Sequence, residues 1–163
     1  MSQPFGHVMK SRSLRIGAML LFVGGLGAGV HAQEKLFKTL RMHAEQGDAD
    51  AQYRLGSMYD YGLGFVQDFQ DDGEAVKWYR LAAQQNHVEA QLVLGYRYQR
   101  GEGVPRDYVL SYMWFDLAVS RASDALRARA IRARTEVAEL LTFDEREEAK
   151  ARSQQWDREH RLH

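Results

Sequence analysis

The chain has 163 residues, of which 45% are hydrophobic, and its 22 basic and 22 acidic residues give a formal net charge of zero. This composition is too apolar for a disordered chain, and the balanced charge argues against a nucleic-acid binder that works through bulk positive charge. The chain has no cysteine, which excludes disulfides, thiolate metal sites and a cysteine nucleophile.

The first element is a predicted leader at residues 1–32. Three basic residues precede an uncharged apolar stretch at 16–30, and the leader ends in a small-residue pattern at Ala32. This order is typical of a secretory signal peptide, and we expect cleavage after Ala32. A retained membrane anchor is the alternative, but a helix of that length spans only about 22 Å. We therefore expect a periplasmic or secreted chain, 33–163, that touches the membrane only through its leader before cleavage.

A short capping helix is predicted at 34–46, and two copies of one unit follow it, at about 44–82 and 83–118. Ten residues of the first copy recur in the second at a constant offset of 39 positions. Those of the first copy are Ala44, Gln46, Ala51, Gln52, Leu55, Gly56, Tyr59, Gly62, Gly64 and Asp68. Because self-similarity at a fixed period marks repeat architectures, we expect a stack of similar units.

The second half of each copy aligns at a shorter offset. Trp78 recurs as Trp114, 36 positions later, so the first copy holds three extra residues between Asp68 and Trp78. We place this insertion at 71–73, because its removal aligns Asp68 with Asp107 and also keeps the two tryptophans aligned.

Each copy is predicted to form two helices, since the apolar residues of its first half recur at helical spacing. Gly56 and Gly95 lie inside these first helices, although a glycine there costs about 1 kcal/mol relative to alanine. We expect both to let a neighbouring helix approach closely. Gly62 and Gly101 are predicted to end the same helices in a left-handed conformation.

The repeated segments resemble Sel1-like repeats (SLR), which are relatives of the tetratricopeptide repeat. The resemblance lies in AEQGDADAQYRLGSMY at 44–59, the glycine turn at 62–64, EAVKWYR at 74–80, and the second copy at 91–118. It implies an all-α fold, an α-solenoid of stacked helix-turn-helix repeats. It also implies that the chain binds other proteins and has no chemistry of its own.

The end of the chain departs from the repeat. Ile131 stands at the glycine position and Arg134 at the tyrosine position of a third copy. We predict a degenerate helical hairpin at 119–160, whose last helix begins with a capping box formed by Thr142 and Glu145.

The segment 68–73 resembles the opening of a calcium-binding loop. Position 12 of such a loop would be Tyr79, however, where a bidentate glutamate is needed. We therefore interpret 71–73 as a solvated loop. No two histidines have the spacing of a zinc-binding helix, and we expect neither a metal nor a cofactor.

The stretch 121–134 is rich in arginine and contains a single acidic residue, Asp124. It is either a contact for an acidic partner or a helix face that is neutralised by the acidic residues at 136–148. The second interpretation is favoured because neighbouring antiparallel helices bring charges of opposite sign together in exposed ion pairs. The arginines are Arg121, Arg127, Arg129, Arg132 and Arg134.

The resemblance also suggests a binding surface, because the first helix of each tetratricopeptide hairpin lines the concave face of the stack. Tyrosines on such a face are typical interface anchors, and we assign that role to Tyr53 and Tyr96. The candidate partner-binding residues are those that miss the apolar stripe: Tyr53, Ser57, Asp60, Leu92, Tyr96, Gln99 and Arg100.

The sequence therefore predicts a non-catalytic scaffold or adaptor of the cell envelope that binds a protein or peptide on its concave face. Catalytic residues and nucleic-acid partners are not expected. The alternative is a cell-envelope enzyme, or an enzyme accessory, that acts on wall polymer. That alternative calls for a deep pocket with two facing carboxylates, which an open solenoid rarely has.

Overall fold

The computed structural model describes residues 26–62 and 70–160, and within these ranges every regular element is a helix. The predicted all-α class is confirmed. No helix of the described ranges is long and apolar enough to cross a membrane. The seven helices are α1 (Leu26–Glu45), α2 (Ala49–Tyr61), α3 (Asp72–Gln84), α4 (Val88–Arg100), α5 (Tyr108–Arg121), α6 (Asp124–Ala138) and α7 (Phe143–His160).

The first helix bears on two of the predictions. The structure has one helix from Leu26 to Glu45, which passes through the predicted cleavage point after Ala32 and covers most of the predicted capping helix 34–46. The rest of the predicted leader, residues 1–25, lies outside the described residues. Cleavage of the leader stays a prediction.

Consecutive helices from α1 to α6 pack against each other and form the repeat stack. Gly62 and Gly101 end α2 and α4 with φ angles of 62° and 70°, and their N–H groups donate to the carbonyl oxygens of Met58 and Arg97. Both predicted left-handed helix ends are confirmed.

The two glycines inside the helices are sites of close approach, as predicted. A Cβ atom at Gly56 would lie 2.9 Å from the ring of Tyr79. A Cβ atom at Gly95 would lie 2.4 Å from the ring of Phe115. Because carbon atoms in contact ordinarily lie about 3.5–4.0 Å apart, each repeat needs a glycine where its first helix meets its second.

The three-residue insertion lies earlier than predicted. Asp71 Oδ1 accepts the N–H of Glu74 and so caps α3, and Asp107 caps α5 in the same way through Leu110. The N–H of Asp71 donates to Tyr59 and that of Asp107 to Tyr98, which makes the two aspartates equivalent at an offset of 36. The extra residues therefore precede Asp71. The interpretation of 71–73 as a solvated loop is wrong, because residues 72 and 73 already form the first turn of α3.

Buried glutamines link each repeat to the helix before it. Gln52 Nε2 donates to the carbonyl oxygen of Ala44 at 3.0 Å, and Gln91 Nε2 donates to that of Ala83 at 3.3 Å. Gln85 Nε2 in turn donates to Gln52 Oε1. Helix carbonyls that lack a partner within their own helix are thus satisfied by the next unit of the stack.

The last helix does not pair mainly with α6, as the predicted C-terminal hairpin requires. It packs along α5 instead, where the rings of Trp114 and Trp156 meet at 4.9 Å and Ser153 Oγ donates to Asp116. The outer face of α6 is exposed and polar at Arg132 and Glu136, and Ile131 is the one large apolar side chain exposed on α6, so this helix offers α7 little apolar surface to bury.

The predicted start of α7 is confirmed. The N–H of Thr142 donates to Glu145 Oε2 at 2.9 Å, and the N–H of Glu145 donates to Thr142 Oγ1 at 3.3 Å. These reciprocal bonds are the capping box expected from the sequence.

Candidate partner-binding groove

A groove of about 590 Å³ lies along the first helices of the repeats. Helices α2, α4 and α6 supply most of its lining, and the start of α3 closes one end. Its lining includes the side chains of Asp60, Tyr61, Tyr96, Arg97, Arg100 and Arg129.

Arg97 forms the floor of the groove and is only 8% exposed. It forms ion pairs with Asp60 of α2, with Asp72 at the start of α3, and with Glu102 in the loop after α4. Burial disfavours the charged guanidinium, but the hydrogen bond with Asp60 and the charges of all three carboxylates outweigh burial and raise the pKa of Arg97. The arginine therefore stays charged and ties three elements together.

A buried tyrosine supports the same network from beneath. The hydroxyl of Tyr79 donates to Asp60 Oδ2 at 3.1 Å and lies 3.2 Å from Ser57 Oγ. Burial is the main reason why the pKa of Tyr79 is raised far above its ordinary value. The hydroxyl thus remains protonated and holds the Asp60 carboxylate in place for Arg97.

The wall of the groove is an aromatic ring between two cations. The guanidinium carbons of Arg100 and Arg129 each lie 5.4 Å from the ring centre of Tyr96, within the range of cation–π contacts. The Tyr96 ring also meets Phe115 edge to face at 4.9 Å, so it is anchored on the core side. Arg100 Nη1 lies 3.9 Å from Glu102 Oε2.

Of the seven predicted binding residues, Asp60, Tyr96 and Arg100 line this groove. Gln99 is half-buried at the end of α4 and is not part of the lining. The binding role of these residues stays a prediction.

Tyr53 and Ser57 belong to the packing of α2. The ring of Tyr53 stacks on His87 at 4.7 Å and lies 5.7 Å from that of Tyr79. Ser57 Oγ donates to the carbonyl oxygen of Tyr53. Both side chains are half-buried and support the groove from its edge.

Leu92 requires a correction, because it is only 2% exposed and belongs to a core cluster with Phe115 and Ala130. The prediction treated it as the equivalent of Tyr53, at a position outside the apolar stripe. Helix α4 packs against α3 and α5, and its Leu92 shares a core cluster with residues of α6, so its apolar face is wider than the stripe shared by the two copies.

The arginine-rich stretch is neutralised in part, but by residues other than those predicted. Arg134 pairs with Asp116 of α5, and Arg121 pairs with Asp157 of α7. Arg127 Nε donates to the carbonyl oxygen of Ala122. Of the acids at 136–148, which were expected to neutralise these arginines, Glu147 and Glu148 form ion pairs with Lys150 and Arg152 instead.

Of the possible calcium ligands, Asp68 lies outside the described residues, Gln70 lines the groove, and Asp72 is bound to Arg97. His87 caps α4, because its Nδ1 accepts the N–H of Ala90. Within 26–62 and 70–160, no group of three or more His, Cys, Asp or Glu side chains could hold a metal ion.

The alternative function, an enzyme that acts on wall polymer, requires two facing carboxylates in a deep pocket. The carboxylates of the groove are Asp60, Asp72 and Glu102, and Arg97 forms an ion pair with each of them. With its carboxylates held by a cation, the groove offers recognition chemistry more readily than proton transfer.

Sequence reasoning missed Arg97, Asp72 and Glu102. Arg97 stands where the first copy has Met58, and this change from an apolar to a charged residue next to two tyrosines was the available signal. Its three partners are 5 to 37 positions away in sequence, and only the stacking of the helices brings them together.

The segments 49–87 and 88–123 match the family model of the Sel1 repeat. The fold is similar to that of a protective antigen present in uropathogenic Escherichia coli strains, which displays an SLR fold, with a TM-score of 0.69 and 31% identity. That match covers 78% of this chain and 26% of the antigen.

A second similar structure is a Sel1 repeat protein from Oxalobacter formigenes, with a TM-score of 0.52 and 27% identity over 66% of this chain and 49% of that protein. The chain therefore spans about a quarter of the first structure and about half of the second. No curated protein matches the chain.

Proposed function

We propose that this chain, which contains two Sel1 repeats, acts as a non-catalytic adaptor of the bacterial cell envelope. Sel1 repeats are generally protein–protein interaction modules. The proposal assigns the groove between α2, α4 and α6 as the surface that takes a protein or peptide partner. The periplasm, or the medium outside the cell, is the proposed compartment because residues 1–32 have the pattern of a signal peptide.

The observation that carries the proposal is the rigid floor of the groove. Arg97 is fixed by three carboxylates from different elements, and Tyr79 fixes one of these carboxylates from below. A surface that is ordered before binding loses little conformational entropy when a partner arrives. The groove therefore favours recognition of an extended or helical segment over a broad, adaptable contact.

Tyr96 is the proposed anchor of the partner. Its ring is held by Phe115 on one side, and the flanking guanidinium groups of Arg100 and Arg129 offer hydrogen-bond donors at the rim. Aromatic residues and arginines account for much of the affinity at protein interfaces, particularly where the surroundings exclude water. Tyr53, which stacks on His87 and also contacts the ring of Tyr79, is proposed to act indirectly by holding α2 in position.

The test is a pull-down from envelope extract with the full chain, which carries a C-terminal tag and is expressed in a Gram-negative host. The wild type is expected to capture a protein in stoichiometric amount, and Tyr96→Ala is expected to lose it. Tyr108→Ala is the matched control, because Tyr108 packs on the same core cluster but is not part of the groove. The amino-terminal residue of the purified protein is expected to be Gln33.

Equal loss of the captured protein in both tyrosine variants would refute the assignment of the groove. Capture of wall fragments without a protein would contradict the adaptor proposal. Circular dichroism and thermal melting of each variant separate a lost contact from a lost fold, since a variant that has lost only the contact is still folded at the temperature of the pull-down. An unprocessed amino terminus would refute cleavage of the leader.

A further inference from the structure

A second cavity, of about 320 Å³, lies between α3, α5 and α7 and shares no lining residue with the groove. Its volume is at the lower end of the range for small-molecule sites, about 300–1,000 Å³. Leu110, Met113, Trp114 and Trp156 provide an apolar wall, and Arg80 stands at its edge.

The aromatic wall is held in a fixed orientation. The rings of Trp114 and Trp156 are inclined at 65° with their centres 4.9 Å apart. The imidazole of His160 stacks on Trp156 at 3.9 Å, and its Nδ1 is 2.9 Å from the carbonyl oxygen of the same residue. Because both rings are supported, a planar ligand would meet a surface that is already formed.

Among the described residues, one cation of the lining has no carboxylate partner and one indole N–H has no acceptor. Arg80 Nη2 donates to the hydroxyl of Tyr98 at 2.8 Å, but Arg80 forms no ion pair with any residue of 26–62 or 70–160. Trp156 Nε1 is buried and has no hydrogen-bond partner among these residues. A buried N–H without an acceptor is rare in folded proteins and calls for an explanation.

The other two charged groups of the lining have partners of their own, although the hydrogen bond from the neutral Gln155 leaves the negative charge of Glu159 in place. Arg152 Nη2 donates to Glu148 at 2.6 Å, and Glu159 accepts a hydrogen bond from Gln155. Arg80 is therefore the cation of this cavity that is left to bind an anion.

We propose that this cavity binds a compact ligand that carries a carboxylate close to an aromatic ring. The carboxylate accepts hydrogen bonds from Arg80 and, after a small rotation of the indole that uncovers it, from Trp156 Nε1, and the ring packs against Trp114, Met113 and Leu110. Two sources supply this chemistry, namely a free aryl carboxylate and the C-terminal aromatic residue of a peptide. The site is separate from the proposed partner groove, so either assignment can fail without the other.

Tryptophan fluorescence of the full chain tests the proposal directly, because two of the three tryptophans line the cavity. The free probes are 3-phenylpropionate and 3-phenylpropionamide, and the peptide probes are Gly-Gly-Phe with a free and with an amidated C-terminus. A hydrogen bond to a charged group typically changes affinity by more than tenfold. We expect saturable binding of a carboxylate that is at least about tenfold tighter than that of its amide.

Comparison of the two acids identifies the source of the ligand. Tighter binding of 3-phenylpropionate supports a free metabolite, and tighter binding of the Gly-Gly-Phe acid supports a peptide terminus. Equal affinity for an acid and its amide, or no saturable change with any probe, would overturn the proposal.

Variants locate the site. Arg80→Met is expected to lose the preference for the carboxylate, whereas Arg54→Met, at an exposed arginine of α2 that is not part of the cavity, is expected to retain it. Trp156→Phe keeps an aromatic wall without the N–H and is expected to weaken binding of the carboxylate more than that of the amide. Circular dichroism and thermal melting identify any variant that fails to fold. If Arg80→Met and Trp156→Phe both fold and bind as the wild type does, the site assignment is wrong.

Discussion

Replacement of Gly95 by alanine tests whether close helix contact, and not helix propensity, determines the residue at this position. A Cβ atom at Gly95 would lie 2.4, 2.5 and 2.8 Å from three atoms of the Phe115 ring, and Phe115 is fully buried. An ordinary carbon contact is about 3.5–4.0 Å, so the ring must move by roughly 1 Å. Tyr96 and the surrounding core leave it little room.

Two opposing free energies set the outcome. Alanine is favoured over glycine inside a helix by about 1 kcal/mol. Forcing additional volume into a packed core costs about 1–3 kcal/mol. Because the required displacement at Gly95 is large, we take the upper end and expect Gly95→Ala to lower the free energy of unfolding by about 2 kcal/mol.

The assay is urea unfolding followed by circular dichroism, for Gly95→Ala in the wild type and in a Phe115→Leu background. The smaller leucine removes the clash, so alanine should there be neutral or stabilising by up to about 1 kcal/mol. The expected coupling between the two sites is therefore about 2–3 kcal/mol. Gly73→Ala is the control, because a Cβ atom there approaches only Asp71 Oδ1, at 3.2 Å.

A neutral or stabilising effect of Gly95→Ala in the wild type would refute this reasoning. So would an equal loss of stability in both backgrounds, since the clash would then involve something other than the Phe115 ring.

Two further predictions concern charged groups. Arg97→Met leaves the carboxylate of Asp60 without its cation in a largely buried position, and we expect a loss of about 2–3 kcal/mol in urea unfolding. Arg100→Met, at an exposed arginine, should change stability by less than about 0.5 kcal/mol, and similar losses in both variants would contradict the network. The hydrogen bonds from Thr142 lower the pKa of Glu145 below its ordinary value of 4.5, so its contribution to stability is present above that pH and is lost as the pH falls through the lowered pKa. Glu145→Ala should therefore melt earlier than the wild type at pH 7 and no earlier at about pH 2, and a pH-independent difference would show that the charge is not involved.

Local features of the fold could be predicted because the repeat displays each of them twice. Gly62 and Gly101 both end a helix, and Gly56 and Gly95 both face a ring, so a single physical reason accounts for each pair. The capping box at Thr142 also follows from residues three positions apart. In each case the interaction is local, or is repeated at the period of the chain.

The features that were missed depend on contacts between distant elements. Arg97 interrupts a pattern of apolar residues, and the sequence does not reveal that three carboxylates from separate elements surround it. Leu92 was expected on the groove because it lies outside the apolar stripe shared by the two copies, yet it is buried in a core cluster with residues of α5 and α6. A single apolar stripe is expected on a helix that packs against one neighbour, whereas α4 packs against several.

The insertion and the last helix were misplaced for a different reason. Asp68 and Asp71 match Asp107 equally well by residue type, and only the capping bond shows that Asp71 is the equivalent residue. The helix that follows α6 was expected to pair with it, but the partners of Trp156 and Ser153 lie on α5.

The hydrogen bonds of the buried glutamines run from a later residue to an earlier one, and this affects how the chain folds during its synthesis. The acceptors, Ala44 and Ala83, each precede their donors, Gln52 and Gln91, by eight positions. During synthesis, the carbonyl oxygens at the ends of α1 and α3 therefore leave the ribosome shortly before the glutamine amides that bind them. Each new unit docks onto one that is already complete, so the stack can be assembled during translation without waiting for its far end.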